Sequence, residues 1–330
     1  MWDSVLGHQQ NKEFLMRYLK AAERPHALLF CGGEGLGKRQ LAMQFAKTLL
    51  CFNGSGADGC DSCRLLNFDD GNLSHPDFIL LEPEPGVKSI KIEQIKNLIG
   101  QAAFGPTMST NKVCIVDKAD AMTIEAANSF LKLLEEPPEG WVIIMLAASE
   151  NSLLPTILSR VVKLRFSPVS VNDVEQVLCS RGIRDEEARV LACISEGSVG
   201  MALRLNEQGV FDNRRHAQAF LEALPLNAPM NYLSNRSWLD KPDKELALLL
   251  VKNLQLLLRD MLFIKIDLTD NLYNCDLQGE LAALASPWKT AGLKKALLEV
   301  NAAYEALASS VSPKLALEAM ALKIDKFRKE

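Results

Sequence analysis

A chain of 330 residues that is 48% hydrophobic and 24% charged has the profile of a folded globular protein, and at about 100–200 residues per domain it holds roughly two to three of them. Its formal net charge of −4 argues against a global positive field for a nucleic-acid backbone, and so against sequence-indifferent DNA binding as the main activity. The start, Met1-Trp2-Asp3-Ser4, has no basic region followed by an apolar run, and the richest apolar stretch, Leu246 to Ile266, is broken by Lys252, Asn253, Gln255, Arg259 and Asp260. No signal peptide or membrane span is expected, which leaves the cytoplasm as the expected compartment. Among the eight cysteines, Cys31, Cys114 and Cys179 lie in apolar segments and are expected as small buried thiols, with no disulfides.

In chain order, short apolar runs alternate with helical patterns. Ala27 to Cys31, Phe78 to Leu81, Val113 to Val116, Val142 to Ala147 and Val161 to Phe166 are continuous enough to be strands buried on both faces. Between them, Leu41, Ala42, Phe45, Ala46 and Leu49 share one helical face, and Ile92, Ile95, Leu98, Ile99 and Ala102 another. The alternation predicts an α/β fold with a mostly parallel sheet in three layers. From Pro168 to about Asn206 the pattern becomes short helices, with stops at Arg181-Gly182 and Glu196-Gly197. From Glu207 onward only helical runs remain, such as Leu246 to Ile266 and Leu293 to Leu307, separated by Asn227-Ala228-Pro229, Lys241-Pro242 and Ser286-Pro287. The charged end Lys323 to Glu330 is expected as a fraying helix tail.

The strand Ala27 to Cys31 runs into Gly32-Gly33-Glu34-Gly35-Leu36-Gly37-Lys38-Arg39 and then directly into an amphipathic helix. This is a GxxxxGK phosphate loop in strand–loop–helix context, in which glycine N–H groups, a helix N-terminus and a lysine converge on one anion. The alternative is a glycine-rich turn without a ligand. Arg39 stands where a magnesium-binding hydroxyl belongs and carries the wrong sign for a metal ligand. The strand ending at Val116 delivers Asp117 as the second acidic position, but Lys118 stands where a water-activating glutamate belongs and cannot act as that base at neutral pH without a large shift. Viewed alone, Asp117-Lys118 also fits an ordinary solvated pair.

The run Asn128-Ser129-Phe130-Leu131-Lys132-Leu133-Leu134-Glu135-Glu136-Pro137-Pro138-Glu139 puts Ala127, Phe130, Leu131 and Leu134 on one helical face and ends that helix with a proline pair. It resembles the signature of bacterial clamp-loader subunits, an AAA+ family, as does Leu153-Leu154-Pro155-Thr156-Ile157-Leu158-Ser159-Arg160. With the phosphate loop, Ser74-His75-Pro76-Asp77 and Ile90-Lys91-Ile92, the likeness covers the first two domains in order, whereas the third matches in length and helicity. It implies an AAA+ P-loop domain with a cysteine insertion over 1–167, a small helical lid over 168–207 and an all-α collar over 208–330.

The resemblance further implies that Arg160, in Ser159-Arg160-Val161, is an arginine finger for the ATP site of an adjacent subunit, with Val161 replacing the family's cysteine and keeping its packing. Outside that resemblance Arg160 reads as a surface charge at a strand edge. Gly200, within Gly197 to Leu203, matches a nucleotide-touching arginine of the tau/gamma-type ATPases. The implied chain therefore has a degenerate nucleotide site for ATP or ADP at Gly32, Gly33, Gly35, Gly37, Lys38 and Asp117, and keeps Arg160. Such a chain is a non-hydrolysing or weakly hydrolysing component of DNA polymerase III that works with delta and tau/gamma subunits to load the sliding clamp on primed DNA. The alternative is a catalytically active tau/gamma-type subunit.

Cys51, Cys60 and Cys63 follow the phosphate-loop helix, and the resemblance implies a structural zinc site completed by a fourth cysteine where this chain has Leu66. Three thiolates with C-x2-C spacing bind zinc if another residue such as His75 completes the tetrahedron, or they stand as reduced loop cysteines; both readings stay open.

Overall fold

The structure is a computed structural model that describes residue 2 and residues 5–68, 71–224, 244–309 and 311–329. It forms two compact units, Met1–Asp173 with Gly197–Gly200, and Val174–Glu196 with Met201–Glu330. The sequence breaks expected at Asn227-Ala228-Pro229 and Lys241-Pro242 lie outside the described residues.

In the first unit the order is α1 (Gln9–Lys20), β1 (Ala27–Cys31), α2 (Lys38–Leu50), α3 (Asp61–Leu65), β2 (Leu66–Asn67), β3 (Asn72–Leu73), β4 (Phe78–Leu81), α4 (Ile92–Ala102), β5 (Lys112–Val116), α5 (Ile124–Glu135), β6 (Trp141–Ala147), α6 (Pro155–Leu158) and β7 (Val162–Arg165). The main sheet runs β4-β5-β6-β1-β7, and every neighbouring pair in it is parallel.

Period-two alternation along the buried strands builds two cores. Leu28 and Phe30 of β1, Val113 and Ile115 of β5, and Ile144 of β6 face Leu15 and Tyr18 of α1 and Leu41, Phe45 and Leu49 of α2. The intervening residues Leu29, Cys114, Val116, Ile143 and Met145 face Ile95 and Leu98 of α4 and Phe130 and Leu134 of α5. Burial on both faces is why these strands read as unbroken apolar runs, and it gives the three layers that the alternation implied.

Helix α1 and the small β2–β3 hairpin were not indicated by the apolar pattern. Helix α5 is stapled at its start: Thr123 Oγ1 accepts the Ala126 N–H at 3.2 Å, and Ile90 pairs through its backbone with Ala121 and Thr123 at 2.9 and 3.0 Å. Ile90 of the Ile90-Lys91-Ile92 motif is thus a buried tie between the segments that open α4 and α5.

The second unit is helical. It takes in most of α7 (Val171–Ser180), α8 (Asp185–Ile194), the end of α9 (Val199–Glu207) and α10 (Val210–Glu222), then helices Lys244–Lys265, Gln278–Ala285, Thr290–Ala308 and Pro313–Lys329. Leu250, Leu254, Leu257 and Leu258 pack with Leu281, Leu293, Val300, Leu317 and Ile324 in one core. Gly182 and Gly197, at φ 84° and 81°, follow the ends of α7 and α8 where the sequence signalled stops.

Two expectations need correction. Cys31 and Cys114 are buried, but Cys179 is only partly covered, because the face of α7 on which Val174 and Leu178 are buried turns it toward the rim. The charged end is the last part of an ordered helix that buries Ile324 and Asp325, not a fraying tail. All eight cysteines are free thiols, and among the described residues no helix is long and apolar enough to cross a membrane.

Phe130 is wholly buried in the α4/α5 core. Phe130→Ala should destabilise the chain by about 3–5 kcal/mol through lost transfer energy and the cavity left behind. Urea unfolding of the purified protein measures it, and a cost below about 1 kcal/mol would contradict the packing described.

Candidate functional site

A parallel sheet delivers the residues after each strand to one edge, where sites of this fold class are built. β1 delivers Gly32, whose N–H donates to Ala147 O at 3.2 Å, and the loop then enters α2 through Gly37. Lys38 turns its ammonium back on its own loop, donating to Gly32 O at 2.5 Å and Gly33 O at 2.6 Å. Burial lowers its pKa from the ordinary lysine value.

The parallel register pairs Leu81 with Val116, so the next residues, Glu82 and Asp117, emerge side by side. Arg39 binds both: its Nη1 lies 2.8 Å from Glu82 Oε2 and also donates to Asp117 Oδ2. Burial works against the guanidinium charge, but Glu82 and Asp117 outweigh it and raise the Arg39 pKa. Pairs this open contribute at most about 1 kcal/mol to stability. Their consequence is electrostatic, since the two carboxylates at this edge already have a cation between them. Lys118 is exposed and sits in the left-handed region at φ 54°, with its N–H donating to Asp117 Oδ1 at 2.9 Å.

The other wall of the phosphate loop is backbone. Ser198 Oγ donates to Glu34 O at 3.0 Å, and the Gly200 N–H donates to Gly35 O at 3.0 Å. A Cβ on Gly200 would lie 2.7 Å from Gly35 Cα, closer than side chains tolerate. Gly200 is therefore the residue type that allows this approach, and any side chain there, arginine included, forces the segment off the loop.

Arg160 follows α6, which opens with Pro155 and buries Ile157. Its Nη2 lies 2.7 Å from Glu135 Oε1 at the end of α5, and its Nη1 donates to Thr156 O at 2.9 Å and Ser159 Oγ at 3.1 Å. Val161 packs against the α4/α5 core, as expected of the residue replacing a cysteine. The guanidinium is about one-third exposed, held along the surface and not sequestered.

Within Ser74-His75-Pro76-Asp77, His75 and Asp77 make a buried hub. Asp77 accepts the backbone N–H groups of Thr107, Met108 and Ser109 at 2.6, 2.7 and 2.7 Å. Burial opposes its charge, but these donors hold its carboxyl below the usual range. His75 Nδ1 accepts the Asp77 N–H at 3.0 Å, so its proton sits on Nε2, which meets Ser62 Oγ at 3.0 Å; that hydroxyl donates to Leu50 O at 2.7 Å. With one nitrogen accepting and the other donating, His75 has no lone pair left for a metal.

Cys51, Cys60 and Cys63 do converge, and the fourth group with them is Asp58, not His75: their ligand atoms all lie within 4.8 Å of one another. Three thiolates and a carboxylate suit a zinc ion, and these four residues could hold one. Leu66 is buried in the α1/α2 core, so its position packs and does not ligate.

Sequence reasoning missed Glu82, Glu135 and Asp58. Glu82 was recoverable once β4 was set beside β5. Neither of the others carries a local signal.

A five-stranded parallel sheet in which inner strand β1 feeds a phosphate loop, with acidic residues after the paired strands β4 and β5 and a helical carboxyl-terminal part, is the architecture of an AAA+ protein. Its fold is similar to that of a DNA polymerase III gamma subunit-related protein of Thermotoga maritima, with a TM-score of 0.50, 16% identity, and coverage of 97% of this chain and 99% of that one. Residues 7–170 match the family described as DNA polymerase III, delta subunit, and residues 215–326 match DNA polymerase III, delta subunit, C terminal. The chain is 32% identical over 304 residues to DNA polymerase III subunit delta' of Bacillus subtilis, covering 90% of each. It is 35% identical over 196 residues to the subunit of the same name from Pseudomonas aeruginosa, a match that takes in 58% of this chain and 59% of that one, less than two thirds of the relative's length. The chain belongs to the family of bacterial DNA polymerase III clamp-loader subunits of the delta-prime kind.

The Asp77 hub gives a pH dependence whose sign is fixed. A carboxyl held below its unfolded value of about 3.9 contributes stability that is present above about pH 4 and lost as pH falls through the folded value. Asp77→Asn should cost about 1.5–3 kcal/mol at neutral pH and flatten the acid limb of the stability curve. Urea midpoints across a pH series check this, and an unchanged acid limb would contradict it.

Proposed function

We propose that this chain is a non-hydrolysing component of a clamp loader that lends Arg160 to the ATP site of a neighbouring subunit. Its partners in this reading are delta and tau/gamma subunits, with the sliding clamp and primed DNA reached through the complex. The lid over 168–207 and the collar over 208–330 are the proposed divisions of its helical part, the collar serving assembly.

The observation that carries the reading is the bond of Arg39 to Glu82 and Asp117. In a hydrolysing site a hydroxyl after the loop lysine and an acidic residue hold a divalent cation. Here a guanidinium takes the place of the hydroxyl and neutralises the acid, and Lys118 offers no base. The Gly200 contact with Gly35 supports the same reading, since it leaves no room for a second arginine over a bound phosphate. Lys38 and the glycines remain suited to an anion, so nucleotide in the loop without turnover fits this account. The second reading, an active tau/gamma-type ATPase, is favoured by that intact loop and by 30% identity over 214 residues to a tau/gamma subunit of Haemophilus influenzae.

The planar guanidinium of Arg160 is suited to charge developing on a transferring phosphoryl group, an effect of about 10³–10⁵ in rate at the site such a finger serves. Its bonds to Glu135, Thr156 and Ser159 hold it along the surface and partly exposed, so reaching a neighbour's phosphate would exchange the Glu135 contact for that anion.

Two outcomes are expected. In a complex reconstituted with delta, tau/gamma, clamp and primed DNA, Arg160→Ala should lower clamp loading and ATP turnover while leaving the thermal midpoint of this chain within a few degrees; undiminished loading would refute the trans role. Arg39→Ser should free Glu82 and Asp117 and make binding of labelled ATP depend on magnesium. Equilibrium titration with and without EDTA reads this, and a variant insensitive to EDTA would count against the assigned part of Arg39.

A further inference from the structure

From the pairing of α5 with α6, we propose that Glu135 is an internal tether for Arg160: it takes the guanidinium while the neighbouring site is empty and yields it to the phosphate oxygens of a nucleotide bound there. This rests on the trans role proposed for Arg160 and adds to it the group that competes for the arginine.

The fold sets both partners of the pair. α5 ends at Glu135 with its last turn anchored, since Leu134 is buried, its carbonyl accepts from His26 Nε2 at 2.9 Å, and the Glu136 N–H donates to Lys132 O at 3.1 Å. α6 is anchored by buried Ile157, and the N–H groups of Ser159 and Arg160 donate to Pro155 O and Ile157 O at 3.1 and 3.0 Å. Across 25 residues of sequence, the two frames bring Arg160 Nη2 to 2.7 Å from Glu135 Oε1.

The guanidinium bonds to three oxygens, of Thr156, Ser159 and Glu135. Thr156 O and Ser159 Oγ belong to its own turn of chain and travel with it. Glu135 is the charged acceptor, and it comes from another element. A carboxylate and a phosphate oxygen are the same kind of ligand for an arginine, so they compete for it. Glu135 also sits at the carboxyl end of α5, with Glu136 next to it, where the helix dipole disfavours a carboxylate and a cation beside it is welcome.

The tether is weak enough to release. The two side chains are 35% and 47% exposed, and an ion pair this open biases an equilibrium by about fivefold at most. A nucleotide's phosphates carry more charge than one carboxylate and displace it. The tether therefore raises the nucleotide concentration at which the finger engages, and leaves the rate of the engaged site alone.

In the complex reconstituted with delta, tau/gamma, clamp and primed DNA, Glu135→Gln should lower the apparent KM for ATP by about two- to fivefold with kcat unchanged. In an Arg160→Ala background the same substitution should do nothing, because the tether acts only through that arginine. In the isolated chain, Arg160 should react with phenylglyoxal about twofold faster or more in Glu135→Gln than in the wild type, read on its peptide by mass spectrometry. Glu135 is exposed, so the variant should fold, and its thermal midpoint checks that it does. If Arg160→Ala leaves turnover unchanged, the trans role fails and the tether with it. If Arg160→Ala lowers turnover while Glu135→Gln keeps the wild-type KM, or lowers kcat, the trans role stands and the tether alone is overturned. Equal phenylglyoxal rates in the two isolated chains also overturn the tether.

Discussion

The structure turns on one guanidinium at the carboxyl edge of a parallel sheet. Arg39 begins α2 directly after the loop lysine, and the strand order sets β4 beside β5, so the next residues of those strands present two carboxylates to it. In water such a contact is weak. At the edge where a phosphate loop faces acidic residues it determines what cation the site can hold. A divalent ion would have to displace a tethered side chain that brings its own charge and cannot diffuse away. The loop keeps its glycines and its lysine, while Arg39 lies between the two carboxylates; in the proposed reading that leaves an anion site without its metal half.

The rest of the first unit follows from keeping that edge rigid. Strands buried on both faces, the Ile90 tie to the start of α5 and the Asp77 hub all fix loops that leave the sheet in register. Gly200 brings backbone against the phosphate loop where a side chain would intrude. Arg160 stands apart from all of this, on the short helix α6, bonded to Glu135 and still partly open to solvent. The proposed trans role rests on these two features together, Arg39 bonded to Glu82 and Asp117 and an Arg160 with none of its bonds at that edge.

Much of this was legible in the sequence, for physical reasons. Strands such as Val113 to Val116 announce themselves because both faces are buried, and Lys38 and Asp117 because a phosphate loop and a strand-end acid have fixed spacing. Helix α1 was not legible: its sequence is largely polar, and only Leu15 and Tyr18 are fully buried along it. Glu82 becomes visible only when strand order is known, because its partner Asp117 lies 35 residues away in the chain and beside it in the sheet. Asp58 gave no signal because cysteine spacing says nothing about which carboxylate a glycine-rich loop folds inward. From the sequence His75 is one residue that could complete the cysteines, and proximity in the chain could not reveal that Asp77 and Ser62 already use its two nitrogens.

The most direct test of the central claim is phosphate release by the purified chain alone, with ATP and magnesium in excess and no partner or DNA. With Arg39 holding Glu82 and Asp117, release should not rise above a buffer blank. Robust release that disappears in Lys38→Ala would show a working site in the chain itself and contradict the account.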